Sequence, residues 1–159
     1  DPAFECRQDL QLIEDGAARA RVIMGTLWGK VAPTTQHSPT IYAEIVLEAG
    51  GALPIDAEAP ERALMLVSGE ASVGGQTLGQ YELSVLAPGA SLKLESATGA
   101  RLMLLGGEGF SSPRHVWWNF VSSSRERIEQ AKADWKGGRF PIVPGDEEEH
   151  IPLPDRPGS

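Results

Sequence analysis

Thr40-Ile41-Tyr42-Ala43-Glu44-Ile45-Val46-Leu47-Glu48 is the segment that decides the fold class. Ile41, Ala43, Ile45 and Leu47 stand at every second position, so an extended chain puts all four on one face. Outward from this segment the same period recurs in shorter pieces. Ala20–Trp28 reads as a strand before it, and Ala63–Val67 is a short apolar run after it. Gly74-Gly75 is a two-residue hairpin signal between Ala71–Val73 and Gln76–Leu78. Tyr81–Leu86 leads to a turn at Pro88-Gly89, Ser91–Glu95 alternates through Leu92 and Leu94, and Arg101–Leu105 ends at Gly106-Gly107. Many short strands closed by Gly or Pro predict an all-β sandwich or small barrel. A closed antiparallel jelly roll would solve the problem of free edges. Residues 1–19 are polar and read as an irregular arm, and 20–110 as the jelly roll.

The period changes after residue 110. Arg114-His115-Val116-Trp117-Trp118-Asn119-Phe120-Val121-Ser122-Ser123-Ser124 sets two of the chain's four tryptophans side by side. Ser123 and Glu126 have the spacing of a capping box. Ile128, Ala131 and Trp135 then form one apolar stripe at helical spacing. Arg125 and Glu129 are an i,i+4 pair, worth about 0.3 kcal/mol on an exposed face. Gly137-Gly138 stops the helix, which is expected over Ser124 to Lys136. Pro141, Pro144, Pro152, Pro154 and Pro157 make the rest extended and irregular. The segment 111–159 is therefore a tryptophan-rich stretch, one C-terminal α-helix and a tail.

A chain of 159 residues has room for one domain with a real core. No apolar run approaches the roughly 20 residues of a membrane span, and no leader pattern opens the chain. The absence of a starting Met suggests processing or truncation. The net charge of −8 lacks the basic footprint of a nucleic-acid binder. The acidic run Asp146-Glu147-Glu148-Glu149 has no spaced oxygens around a glycine, so it reads as solvated surface rather than a Ca²⁺ loop. A lone Cys6 excludes an internal disulfide and fits a cytoplasmic protein. Ser122, Ser123 and Ser124 sit where helix caps are expected. There is no Gly-x-Ser-x-Gly elbow and no phosphate-loop spacing. No catalytic residue is assigned.

Two stretches resemble the pirin family. One is Arg21-Val22-Ile23-Met24-Gly25-Thr26-Leu27-Trp28-Gly29 followed by Thr35-Gln36-His37-Ser38-Pro39-Thr40; the other runs from Trp117 to Asp146. Glu61-Arg62-Ala63-Leu64 and Leu86-Ala87-Pro88-Gly89 are also similar to it. Pirins are bicupins, two jelly rolls in tandem, and this chain resembles the second. The resemblance implies a cupin-type fold here and an iron site with His and Glu ligands in a preceding domain. It also implies relatives described as quercetin 2,3-dioxygenases, and others as nuclear co-regulators.

A metal-binding cupin places two histidines and a glutamate between a pair of glycines, then a further histidine after a Pro-x-Gly turn. Laid over Gly51 to Gly69, the histidine positions fall on Ala57 and Ala59 and the glutamate position on Arg62; the last falls on Leu92. None of these side chains is a metal ligand, so no metal or cofactor is expected in this chain. Of the three histidines, none has a close partner at metal-site spacing. His37 reads either as a hydrogen-bonded loop residue or as a polar anchor in a cavity. His115 reads as packed beside the tryptophans and His150 as exposed. Arg62 reads either as a strand-end residue paired with Glu61 or another acid, or as a buried cation for an anionic ligand. Trp117 and Trp118 either stack on a planar ligand or fill an interface. The expectation is a non-catalytic module that packs against a metal-bearing cupin domain. Without that domain it would form a homodimer through Trp117, Trp118, Ile128 or Trp135. Alternatives are the second domain of a quercetin 2,3-dioxygenase and a small-molecule binding module lined by His37 and Arg62.

Overall fold

A computed structural model describes residues 5–154. Its internal contacts divide the chain into two units, Asp1–Gly109 and Phe110–Ser159. The first holds β1 (Gln11–Asp15), β2 (Ala18–Met24), β3 (Thr26–Leu27), β4 (Lys30–Val31), β5 (Thr40–Leu47), β6 (Ala52–Ile55), β7 (Glu61–Gly69), β8 (Ser72–Val73), β9 (Gln76–Thr77), β10 (Leu83–Val85), β11 (Leu92–Glu95) and β12 (Ala100–Gly107). Six strands form one antiparallel sheet in the order β1-β2-β5-β12-β7-β10, and four form a second in the order β6-β11-β8-β9. The β3–β4 hairpin stands apart. This is the expected all-β jelly-roll sandwich.

The alternation in β5 sets the core. Ile41, Ala43, Ile45 and Leu47 point inward and are buried, while Thr40, Tyr42, Glu44 and Val46 point out. Val22, Leu64 and Leu102 line the same sheet, and Leu53, Ile55 and Leu94 face them from the other. Each such side chain contributes about 1.5–3 kcal/mol on burial. The buried cluster is aliphatic, with Trp28, among the described residues, the one aromatic ring packed at its margin.

Several elements differ from the sequence reading. Gln11–Asp15, expected to be part of an irregular arm, is an edge strand: a turn at Gly16 (φ 57°) folds it back along β2. Ile13 alone packs on the core, so the segment shows no alternation. The strand expected over Ala20–Trp28 ends at Met24, because Gly25 turns left-handed at φ 80°. A side chain there would collide with the Thr40 carbonyl, so the chain breaks and restarts as the β3–β4 hairpin. Gly74-Gly75 does join β8 to β9, both residues at positive φ.

The second unit holds a hairpin, β13 (His115–Trp117) and β14 (Phe120–Ser122), and one helix, α1 (Arg125–Lys136). Its N-cap is Ser124 rather than Ser123. The chain leaves β14 only at Ser122, whose Oγ accepts the Ser124 N–H at 3.2 Å. Ser124 Oγ accepts from the Arg127 N–H at 3.3 Å and donates to Glu126 Oε2 at 2.5 Å. The helix ends as Gly137-Gly138 foretold. Gly138, at φ 64°, donates to Trp135 O, and Arg139 to Asp134 O. Those two bonds are the paired closures of a Schellman motif. Glu129 pairs with Lys132 (2.8 Å) instead of the expected Arg125.

Candidate functional site

Arg62 lies in β7 at an inward position, between the outward Glu61 and Ala63 and in phase with Leu64 and Leu66. It is 2% exposed, among the largest fully buried side chains in the protein. Its neighbours are carbonyls and not the carboxylate expected from its sequence. Nη1 donates to Ile55 O (3.2 Å) and Asp56 O (2.6 Å), and Nη2 to Ala87 O (3.1 Å) and Ala90 O (2.7 Å). All four Nη hydrogens are thus used. Nε alone has no acceptor among the described residues. The guanidinium ties the loop after β6 to the loop after β10, and the oxygen dipoles of both loops replace water around the charge.

The fit to a cupin metal centre follows from these neighbours. The positions where histidines would stand are Ala57, buried Ala59 and Leu92. The position for the carboxylate holds a buried cation. Among the described residues no three His, Cys, Asp or Glu converge in metal-binding geometry. The donor set does not fit a metal.

His37 is exposed and neither it nor Arg62 lines the cleft nearest to them in sequence. That cleft, about 210 Å³, opens among Gly25, Thr26, Gln36, Thr40, Glu58 and Glu108. Glu58 was not evident from sequence. Its carboxylate accepts the Trp28 N–H from 30 positions away, at 2.9 and 3.2 Å. Desolvation by the loop pushes its pKa above the ordinary glutamate value, and Asp56 adds to the rise; the Trp28 hydrogen bond and the Arg62 charge oppose it. Trp28 is itself strained. With Gly29 it forms the two-residue loop of the β3–β4 hairpin, both left-handed at φ 48° and 73°, a pattern that ordinarily takes Asn-Gly. The Trp28 indole N–H donates to Pro54 O at 2.8 Å.

In the second unit Trp117, Trp118 and Trp135 are gathered into one aromatic cluster. Trp118 meets Trp135 edge-on at 5.2 Å between centroids, and Trp117 stacks on Phe120 at 6.2 Å. Ile128 is buried at 6% exposure, whereas Trp117, Trp118 and Trp135 are half-buried. The tail folds back: His150 stacks on Trp135 at 5.5 Å, and the Trp135 indole N–H donates to Ile151 O at 2.9 Å. His150 is exposed, as expected, and at the same time part of the cluster.

A family model described as the pirin C-terminal cupin domain matches residues 42–141. A pirin-like protein of Caulobacter vibrioides is 41% identical over 158 residues, covering 98% of this chain and 54% of its own length. A crystal structure of quercetin 2,3-dioxygenase from Acinetobacter baumannii superposes with a TM-score of 0.89 at 27% identity, over 100% of this chain and 55% of that one. A second quercetin 2,3-dioxygenase structure from that organism has a TM-score of 0.77 at 19% identity, over 88% and 49%, a likeness of fold. The chain spans about half the length of the curated relatives it matches. Among the described residues no helix is long and apolar enough to cross a membrane.

Proposed function

The chain belongs to the pirin family, as its C-terminal cupin domain, and from that premise we propose that it is a cupin module without metal or catalysis of its own. Its work is to pack against a metal-bearing cupin domain and help to shape that domain's pocket. The observation that carries this reading is Arg62. A cation stands where a metal cupin has its carboxylate, and four carbonyls hold it there. A divalent ion beside it would meet repulsion and no ligand. The half-buried rings of Trp117, Trp118 and Trp135 supply area for the contact with that domain.

A second reading makes the chain the second domain of a quercetin 2,3-dioxygenase. Its similarity along its whole length to the Acinetobacter enzyme supports that. In either reading iron and dioxygen chemistry belong to the other domain, and this one works in the cytoplasm. Binding of a small molecule by this domain has less support. Neither His37 nor Arg62 lines a cleft of this domain, and both Nη groups of the Arg62 guanidinium already have their partners. The test is elemental analysis of the purified chain after growth with iron, nickel, manganese and zinc, together with a quercetin turnover assay. Substoichiometric metal and no turnover are expected. One metal per chain would overturn the reading.

A further inference from the structure

The second unit has a cleft of its own, about 450 Å³ in volume, within the roughly 300–1,000 Å³ of ordinary small-molecule sites. The tail builds it. His150 stacks on Trp135, and Ile151 O accepts the Trp135 indole N–H at 2.9 Å. That anchor lays residues 152–154 beside the C-terminal half of α1, and the cleft lies between them. Neither His37 nor Arg62 lines it, so it is a different place from the site expected at those two residues.

Its lining is of two kinds. Trp117 and the tail residues 152–154, two prolines and a leucine, make an apolar side. The ionisable side chains are Lys132, Lys136 and His150, all basic. No acidic residue lines the cleft, although the chain carries 22 Asp and Glu against 14 Lys and Arg. The run Asp146-Glu147-Glu148-Glu149 comes just before His150 and contributes no side chain to it.

Lys132 and Lys136 stand one turn apart, so both project from one side of α1. Lys132 is held in place: Nζ donates to the two Glu129 carboxylate oxygens at 2.8 and 3.0 Å and stands over the Trp117 ring, 4.6 Å from its centroid. An ammonium has three hydrogens, so at least one is left for a ligand. Lys136 is exposed and forms no ion pair among the described residues. The carbonyl end of a helix repels an anion, but here the Ala133, Asp134 and Trp135 carbonyls already accept from the amides of residues 137–139. We propose that this cleft binds a small aromatic carboxylate, its ring against Trp117 and the prolines and its charge toward Lys132, Lys136 and the His150 imidazole. A bare inorganic anion would leave the apolar side unused, and a neutral ring would gain no charge-assisted hydrogen bond from the lysines.

The inference rests on the second unit alone, and of the three half-buried tryptophans only Trp117 lines the cleft. Naphthoate is the probe, titrated into the full chain and followed by calorimetry and by the Trp117 indole N–H resonance. Saturable one-to-one binding with a Kd of about 0.1 mM is expected for a ligand of this size. Neutral naphthamide and inorganic phosphate should each bind at least tenfold more weakly, equal to about 1.4 kcal/mol. Lys136→Gln should cost about the same factor with unchanged circular dichroism. Arg125→Gln, which removes an equal charge from the exposed first turn of the same helix, should leave the affinity as it is. No saturation by about 2 mM naphthoate, twenty times the expected Kd, would overturn the proposal. So would equal affinity for naphthamide or for phosphate, or an equal loss in Arg125→Gln and Lys136→Gln. None of these results would bear on the metal content.

Discussion

Trp28 and Trp118 each lead a two-residue hairpin loop with a left-handed backbone, at φ 48° and 52°, a conformation that costs a bulky residue about 1–3 kcal/mol. What holds them there differs in kind. Trp28 is tethered by polar bonds, its amide to the Glu58 carboxylate and its indole to the Pro54 carbonyl. Trp118 is held by ring edges, those of Trp135 at 5.2 Å, Phe120 at 5.7 Å and Trp117 at 6.4 Å. The contrast extends to the two units. The jelly roll has an aliphatic core with buried polar ties between loops, and Arg62 is the largest of these. The C-terminal unit is assembled from aromatic faces and has one buried helix residue, Ile128. Directional bonds fix loops at defined distances, as a barrel mouth requires. Ring packing tolerates small displacements.

The largest effect should come from the polar side of that contrast. Arg62→Ala would take the donor from four carbonyl oxygens, one buried and three part-buried, and a loss of about 3–5 kcal/mol is expected by urea denaturation. Arg62→Lys should recover less than half of it, because one ammonium cannot fork toward two loops. A cost below about 1 kcal/mol would mean that water replaces the guanidinium freely and that the loops do not depend on it.

On the aromatic side, Trp135→Ala removes the ring that contacts Trp118, Phe120, Phe140 and His150. The ring is only half buried, so about 2–3 kcal/mol is expected, below the figure for a fully buried tryptophan. Hydrogen exchange should show the loss confined to residues 115–140, with β5 and β12 still protected. Equal loss of protection in both units would mean that they unfold together and would erase the distinction. A smaller effect belongs to the helix start. Ser124→Ala should cost about 1 kcal/mol and Ser123→Ala almost nothing; the reverse order would restore the capping box at Ser123.

How far the sequence was legible follows the same division. The strands that bury one face, such as Thr40–Leu47, announce themselves because their side chains obey a period of two. Strand Gln11–Asp15 could not, since only Ile13 packs inward. Ile128 and Trp135 were legible as helix residues, yet spacing cannot tell a stripe that is already buried from one that is free. Arg62 was evident as an anomaly in a ligand position, but its four acceptors lie six to 28 residues away and are backbone atoms. Any sequence supplies a carbonyl at those places, so no residue type marks them. Glu58 was silent for a similar reason: its partner is an amide 30 positions distant.

The finest test of the contrast is pH, because one tryptophan depends on a titrating group. Desolvation raises the Glu58 pKa in the folded protein above the value of about 4.3 for a free glutamate. The folded state therefore holds its proton more tightly than the unfolded chain. Stability from this group is complete below the ordinary carboxylate range and falls as pH rises through the raised folded value. Glu58→Gln keeps an oxygen to accept the Trp28 amide and removes the charge whose desolvation opposes folding. The variant should match the wild type at pH 4 and gain slightly on it by pH 7, and the gain should be small because the carboxyl is largely open to solvent. Urea midpoints at the two pH values read it directly. A variant that falls below the wild type at pH 7 would mean that the anionic charge itself holds Trp28, and that the tether outweighs the cost of burying it. Among the described residues no carboxylate bonds Trp118, so Trp118→Phe should show the same pH profile as the wild type, whatever it does to stability at any one pH.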